Sequence, residues 1–313
     1  MKFPGILVTF FATALSSLAE YSLEDISPHF STNMSIIWQA PTNHLPKNLW
    51  SYKKQPRVFS ATTISNAVVL ASFQKKGIPK PSRYRIVLWA DRFEGEPQPP
   101  YLVIEPDWGQ ITYTLGDRAP ESEKVSNDQA AVERAWDCLG KLGIDRAEFV
   151  KTNVAAPGTL GVFFPRQIDG ILFYDESEGF SFAQSSSGRI RGFSLSSPKL
   201  EREKQGQIAS PEQIISCIRA FKTPSPPNGD ESDYFGRIKN LAKATKLTIT
   251  RITSCYGEGV YGESPTNNEP TKVVTPLAEL EAIADFGNSN TTVRLLSPIV
   301  ASEVNRLLKT KPQ

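Results

Sequence analysis

The sequence predicts an α+β protein built of tandem modules, each a helix packed on an antiparallel meander in two layers. Two observations predict it. Apolar residues recur at helical spacing in three places, and each run is followed by short β-prone stretches divided by Gly, Asn and Asp turn residues. The order, helix then meander, returns about every seventy residues, in element order rather than in residue identity.

The chain opens on Met1-Lys2, an apolar run from Phe3 to Leu15, and small residues Ser17 and Ala19 ahead of Glu20. That pattern reads as a cleavable signal peptide over residues 1–19, so the mature protein is expected to be exported, periplasmic or extracellular. The run is short for a membrane span and holds Pro4 and Gly5, and no second such run follows. No stable span is therefore expected after cleavage. Residues 20–57, rich in Pro, Asn and Ser, read as an extended N-terminal arm with Trp38 and Trp50 as isolated anchors.

Residues 58–121 read as a possible N-terminal α+β module. Ile64, Ala67, Val68 and Ala71 share one helical face, with Gly77 as the stop, and strands are expected at Tyr84–Ala90, Tyr101–Glu105 and Gln110–Leu115. Residues 122–200 form the next module. Ser126 is placed to cap a helix bearing Val132, Ala135, Trp136, Leu139 and Leu142, and Gly143 ends it. A strand near Glu148–Val154 follows, then a hairpin from Gly161 to Tyr174 around Asp169-Gly170, then a second one over Phe180–Gln184 and Arg189–Leu195. Residues 201–313 make the last module. Ser210-Pro211-Glu212-Gln213 is a capping box ahead of Ile214, Cys217, Ile218 and Phe221. A helix over Asp233–Ala244 and strands at Leu247–Cys255, Leu277–Phe286 and Thr292–Leu296 complete it.

Composition narrows the function. Lys and Arg number 35 against 33 Asp and Glu, a net of +2, which leaves no long-range field to gather nucleic acid. The basic cluster Lys75, Lys76, Lys80, Arg83 and Arg85 is followed by Glu94 and Glu96 and reads as a solvated helix end. The two histidines, His29 and His44, fall in the arm with no ligand-spaced carboxylate or Cys, so triad and zinc chemistry lack their usual residue. Cys138, Cys217 and Cys255 form no CxxC, and each reads as a small buried hydrophobe. No cofactor or metal is implied.

Two stretches carry candidate chemistry. Tyr256, Glu258, Tyr261 and Glu263 stand in a tandem Tyr-Gly-Glu loop after a strand, as a ligand site, a carboxylate pair for acid–base work, or a loop of solvated Glu residues. Arg166, Asp169 and Gly170 read as a structural turn: Asp-Gly suits the positive φ of a type I′ hairpin, and Arg166 among apolar neighbours either snorkels to the rim or pairs with a carboxylate, a structural pairing being expected.

The run Phe163-Phe164-Pro165-Arg166-Gln167-Ile168-Asp169-Gly170-Ile171, the second hairpin from Phe180 to Ile190 and the helix opening Ser210-Pro211-Glu212 together resemble a PepSY-type module and the related YycH/YycI-like extracytoplasmic regulators. The resemblance covers residues 126–222. It implies an exported, non-catalytic module that binds or restrains a peptidase or a membrane sensor protein. The chain departs from those regulators in carrying a cleavable signal where they keep a membrane anchor.

The resulting expectation is an exported, non-catalytic binding or regulatory protein with a protein partner, acting on a peptidase or an envelope protein. Two other readings stand beside it: a carboxylate-dependent hydrolase using Glu258 and Glu263, and a structural component of the envelope.

Overall fold

A computed structural model describes residues 34–90, 100–116, 125–126, 129–152, 161–174, 178–185, 187–220, 244–258 and 273–309. The leader-like segment 1–19, most of the expected helix 233–244, and Tyr261 and Glu263 lie outside them.

In chain order the described elements begin with β1 (Ser35–Trp38), β2 (Asn48–Gln55), α1 (Ala61–Leu70), β3 (Ile86–Trp89), β4 (Tyr101–Glu105) and β5 (Gln110–Thr114). Next come β6 (Val125–Ser126), α2 (Gln129–Lys141), β7 (Val162–Pro165), β8 (Gln167–Ile168), β9 (Ile171–Leu172) and β10 (Gly179–Ser185). The remainder are β11 (Ile190–Ser196), β12 (Lys199–Gln207), α3 (Pro211–Arg219), β13 (Lys246–Glu258), β14 (Val273–Asp285), β15 (Asn290–Pro298) and α4 (Ala301–Lys309).

The protein is mostly β, which overturns the expected tandem of helix-plus-meander α+β modules. The strands assigned to separate modules join one another. β3, β4 and β5 of residues 58–121 continue through β11 into β10 and β7 of residues 122–200, as parts of one seven-stranded sheet. The decisive contact is β5 on β11, with Ile111 opposite Leu195 and Tyr113 opposite Phe193. Hairpin signals are local, whereas this pairing joins residues far apart in the chain and is chosen by matching apolar faces.

Two compact units result. One takes the described residues of Met1–Leu45, Ala209–Thr253 and Ala278–Gln313; the other takes those of Pro46–Ile208 and Ser254–Leu277. The long strands β13 and β14 contribute residues to both.

In the first unit β1 pairs in parallel with the start of β13, Ser35 opposite Lys246 and Trp38 opposite Ile249. Parallel pairing requires a long connection between the strands, so no hairpin signal could announce it. β15 pairs with β14, and helices α3 and α4 pack on each other and on β15. The start of α3 is the capping box: Ser210 Oγ accepts from Gln213 N, while Gln213 Oε1 accepts from Ser210 N at 2.9 Å. Ile214, Cys217 and Ile218 form its buried stripe.

In the second unit α1 and α2 cover one face of the seven-stranded sheet. Ile64, Ala67 and Val68 of α1 and Ala135 and Leu139 of α2 meet Leu102, Ile104, Ile111, Phe164, Phe180, Phe193 and Leu195 from the strands. Period-two alternation explains the choice of face, because Phe180 and Phe182 of β10 and Phe193 and Leu195 of β11 all point inward. A second group of strands pairs β12 with β2, and β2 with the start of β14, where Val274 lies opposite Tyr52.

Other expectations need correction. Residues 34–57, read as part of an extended arm, contain β1 and β2, and Met34, Ala40, Leu49 and Tyr52 are buried. Helix α1 ends at Leu70, with Ala71 as its C-cap before Ser72 at φ 61°, rather than at Gly77, which closes a separate short turn. Ser126, expected to cap α2, pairs with Gln184 as part of β6, and the described part of α2 runs from Gln129. In place of a strand at Glu148, a 3-10 turn over Arg146–Glu148 is capped by the Asp145 side chain.

Candidate functional site

The Asp169-Gly170 turn has the backbone its sequence implies, φ 51° and 79°, and its side chain is put to use. Asp169 Oδ2 accepts from Tyr52 OH and from Arg202 Nη2, each at 3.1 Å. The Arg202 guanidinium also lies 5.5 Å from the centre of the Trp50 ring. Tyr52 meets Tyr256 edge-on at 5.5 Å, and Phe173 packs on Tyr256 from 6.0 Å. Burial raises the pKa of both phenols, most strongly that of Tyr256, so both remain neutral at physiological pH.

Arg166, buried just before the turn, has the carboxylate partners that its apolar setting demands. Its Nη1 lies 2.5 Å from Glu178 Oε2, and its Nη2 reaches Glu148 Oε2 at 3.2 Å and the Pro198 carbonyl at 2.8 Å. Lys54 Nζ holds the other oxygen of Glu178 at 2.6 Å. Arg57 grips both oxygens of Glu148, at 3.0 and 3.1 Å, and Ser197 Oγ donates to the same carboxylate at 2.7 Å. Burial alone would raise the pKa of Glu148; Arg57, Ser197 and Arg166 together outweigh it and hold the carboxyl below its usual range. Three cations, Arg57, Arg166 and Lys54, thus surround two carboxylates, Glu148 and Glu178. Glu148 so held is a poor proton donor or acceptor at neutral pH, and the cluster ties the end of β2 to Arg166 before the turn and to Ser197-Pro198 ahead of β12.

The tandem Tyr-Gly-Glu stretch is described only in part. Tyr256 is 1% exposed inside β13, which carries on to Glu258, while Tyr261 and Glu263 fall outside the described residues. His44 is exposed, and its Nε2 lies 2.9 Å from the Ile252 carbonyl beside a hollow of about 580 Å³ lined also by Pro41, Arg251 and Glu281. All three cysteines are buried, and burial pushes the Cys138 thiol up to about 12, which makes it inert. Among the described residues no three His, Cys, Asp or Glu side chains are placed to hold a metal ion, and no helix is long and apolar enough to cross a membrane.

A second hollow lies on the face of the seven-stranded sheet opposite α1 and α2. Register places its residues in rows across the strands. One row runs Trp89, Tyr101, Thr114, Gly192, Ala183. The next runs Val87, Val103, Thr112, Ser194, Ser181, Phe163. Thr112 Oγ1 and Ser194 Oγ are 3.1 Å apart, and the Ser181 hydroxyl reaches the Ser194 carbonyl at 3.5 Å. At the β3 end Trp89, half exposed, tilts against Tyr101 with ring centres 5.1 Å apart. Gly192 keeps the middle low: a Cβ there would stand 2.8 Å from the Tyr113 carbonyl. A hollow of about 230 Å³ results, lined by Thr112, Gly161, Ser181, Gly192 and Ser194 among others.

No acid–base or metal motif announces this face, because its two central rows hold no His, Cys, Asp, Glu, Lys or Arg. Its signal is period two on the outward positions: Gln110, Thr112, Thr114 on β5; Gly179, Ser181, Ala183 on β10; Gly192, Ser194, Ser196 on β11. No family model matches the chain, and no curated protein matches it.

Proposed function

We propose that this chain is an exported, non-catalytic binding protein, and that the open face of its seven-stranded sheet is the contact surface. The observation that carries the reading is the asymmetry of that sheet. One face is sealed by α1 and α2 over a core of large apolar side chains, while the other presents small hydroxyl residues in register beside the exposed Trp89 packed on half-buried Tyr101. A sheet face facing solvent alone is ordinarily rich in charge; Trp89, Val87 and Phe163 on this one favour contact with a ligand. Arg166, Glu178, Lys54, Arg57 and Glu148 are tied to one another in the clamp, which suits support of a surface better than turnover. Export rests on the leader-like pattern of residues 1–19. The PepSY resemblance over residues 126–222 favours the same non-catalytic class.

The test is retention of an extracellular or envelope extract on the immobilised mature protein. Ser194→Arg places a long cation across the hollow without entering the core, so retention seen with the wild type should disappear while the circular dichroism spectrum stays unchanged. Equal retention by both proteins would reject the open face as the contact surface.

A further inference from the structure

We infer that the occupant of this face is a neutral oligosaccharide, stacked on Trp89 and Tyr101 and hydrogen-bonded along Thr112, Ser194 and Ser181. The inference rests on the binding reading above and names its ligand class.

Charge comes first. The two central rows contain no Asp, Glu, Lys or Arg, and the row beside them pairs its own charges, Arg85 Nε to Glu105 Oε1 at 2.9 Å. Among the described residues the face thus carries no net charge and no unpaired ion, which disfavours phosphate or a charged peptide there.

Size comes second. Five strand spacings from β3 to β7 and three rows of alternate residues give a platform of roughly 24 by 14 Å. That is well under the ~800 Å² per partner typical of a stable protein interface, so a second copy of the chain or a peptidase would be poorly held here. A short linear ligand lying across the strands fits it.

Chemistry comes third. A sugar ring offers an apolar face of C–H groups and a rim of hydroxyls. The C–H face matches an exposed indole or phenol, whose π-cloud is negative. The rim matches Ser and Thr hydroxyls, which donate and accept alike and need no particular protonation state. Gly192 and Ala183 leave the rings room to approach the backbone beside the aromatic pair.

The experiment titrates the mature protein with cellohexaose, chitohexaose and mannohexaose, and with the hexamer of galacturonate as a charged control, by calorimetry and tryptophan fluorescence. At least one neutral hexamer should bind with quenching, and the galacturonate hexamer should bind none or far less. Trp89→Ala should weaken the neutral ligand about tenfold, and Ser194→Arg should abolish binding, with melting temperatures kept. Should all three neutral hexamers fail while Ser194→Arg still abolishes retention from the extract, the sugar inference falls and the face keeps its role. Hexamer binding that neither variant changes would likewise overturn the inference, placing the sugar elsewhere.

Discussion

Arg166 and Glu178 are sealed together in the second unit, Nη1 to Oε2 at 2.5 Å, with side chains only 6% and 0% exposed. Removing either alone strips the other's buried charge of this short contact. Lys54 on the far oxygen of Glu178 and Glu148 on the far nitrogen of Arg166 extend the pair into a network. Glu178→Ala and Arg166→Ala should each destabilise by about 3–5 kcal/mol, and the double variant by clearly less than their sum. Urea unfolding of the four proteins measures this, and simple additivity would show that the pair is not coupled.

The same network sets an acid limit. The pKa of Glu148 is lowered in the folded protein, so its ionised form stabilises the fold. That contribution is complete above the pKa of the unfolded carboxyl, about 4.3, and is lost as pH falls through the lower folded value. Unfolding free energy should therefore drop as pH falls below about 4.3, and less steeply in Glu148→Gln. Parallel pH profiles for the two proteins would contradict the assignment.

Gly170 tests the turn in isolation. It sits at φ 79° and a Cβ added there would meet nothing within 4 Å, so only the backbone resists substitution. Gly170→Val should cost roughly 1–3 kcal/mol. An unchanged melting temperature would mean that the turn relaxes freely.

Much of this was legible because its causes are local. The Asp169-Gly170 turn, the Ser210 capping box and the Tyr101–Glu105 strand each depend on a few adjacent residues. What was not legible depends on distant partners. β12 escaped because Lys199–Gln207 is charged and mostly exposed, with no apolar alternation, and is held as a strand by its pairing with β2. The partners of Arg166 could be expected as carboxylates, but only the fold selects Glu178 and Glu148. The open face escaped for a different reason: its outward Ser, Thr and Gly residues read as ordinary solvated positions until register lines them up across β5, β11 and β10.

The hydrolase alternative makes a separate claim. Gln retains the shape and hydrogen-bonding reach of Glu but cannot ionise. The double variant Glu258→Gln, Glu263→Gln should fold normally and match the wild type in having no turnover of peptide, ester or glycoside substrates. Wild-type turnover that the variant loses would move the active site to that stretch.

The most direct test of binding through the open face is thiol footprinting, since the native Cys138, Cys217 and Cys255 are buried and leave an introduced thiol to report alone. Ser194→Cys lies in the middle of the face, and Val69→Cys on an exposed position of α1 serves as the control. On adding the component retained from the extract, maleimide labelling should slow at least several-fold at position 194 and stay constant at position 69. Unchanged labelling at position 194 with the component bound would contradict the account.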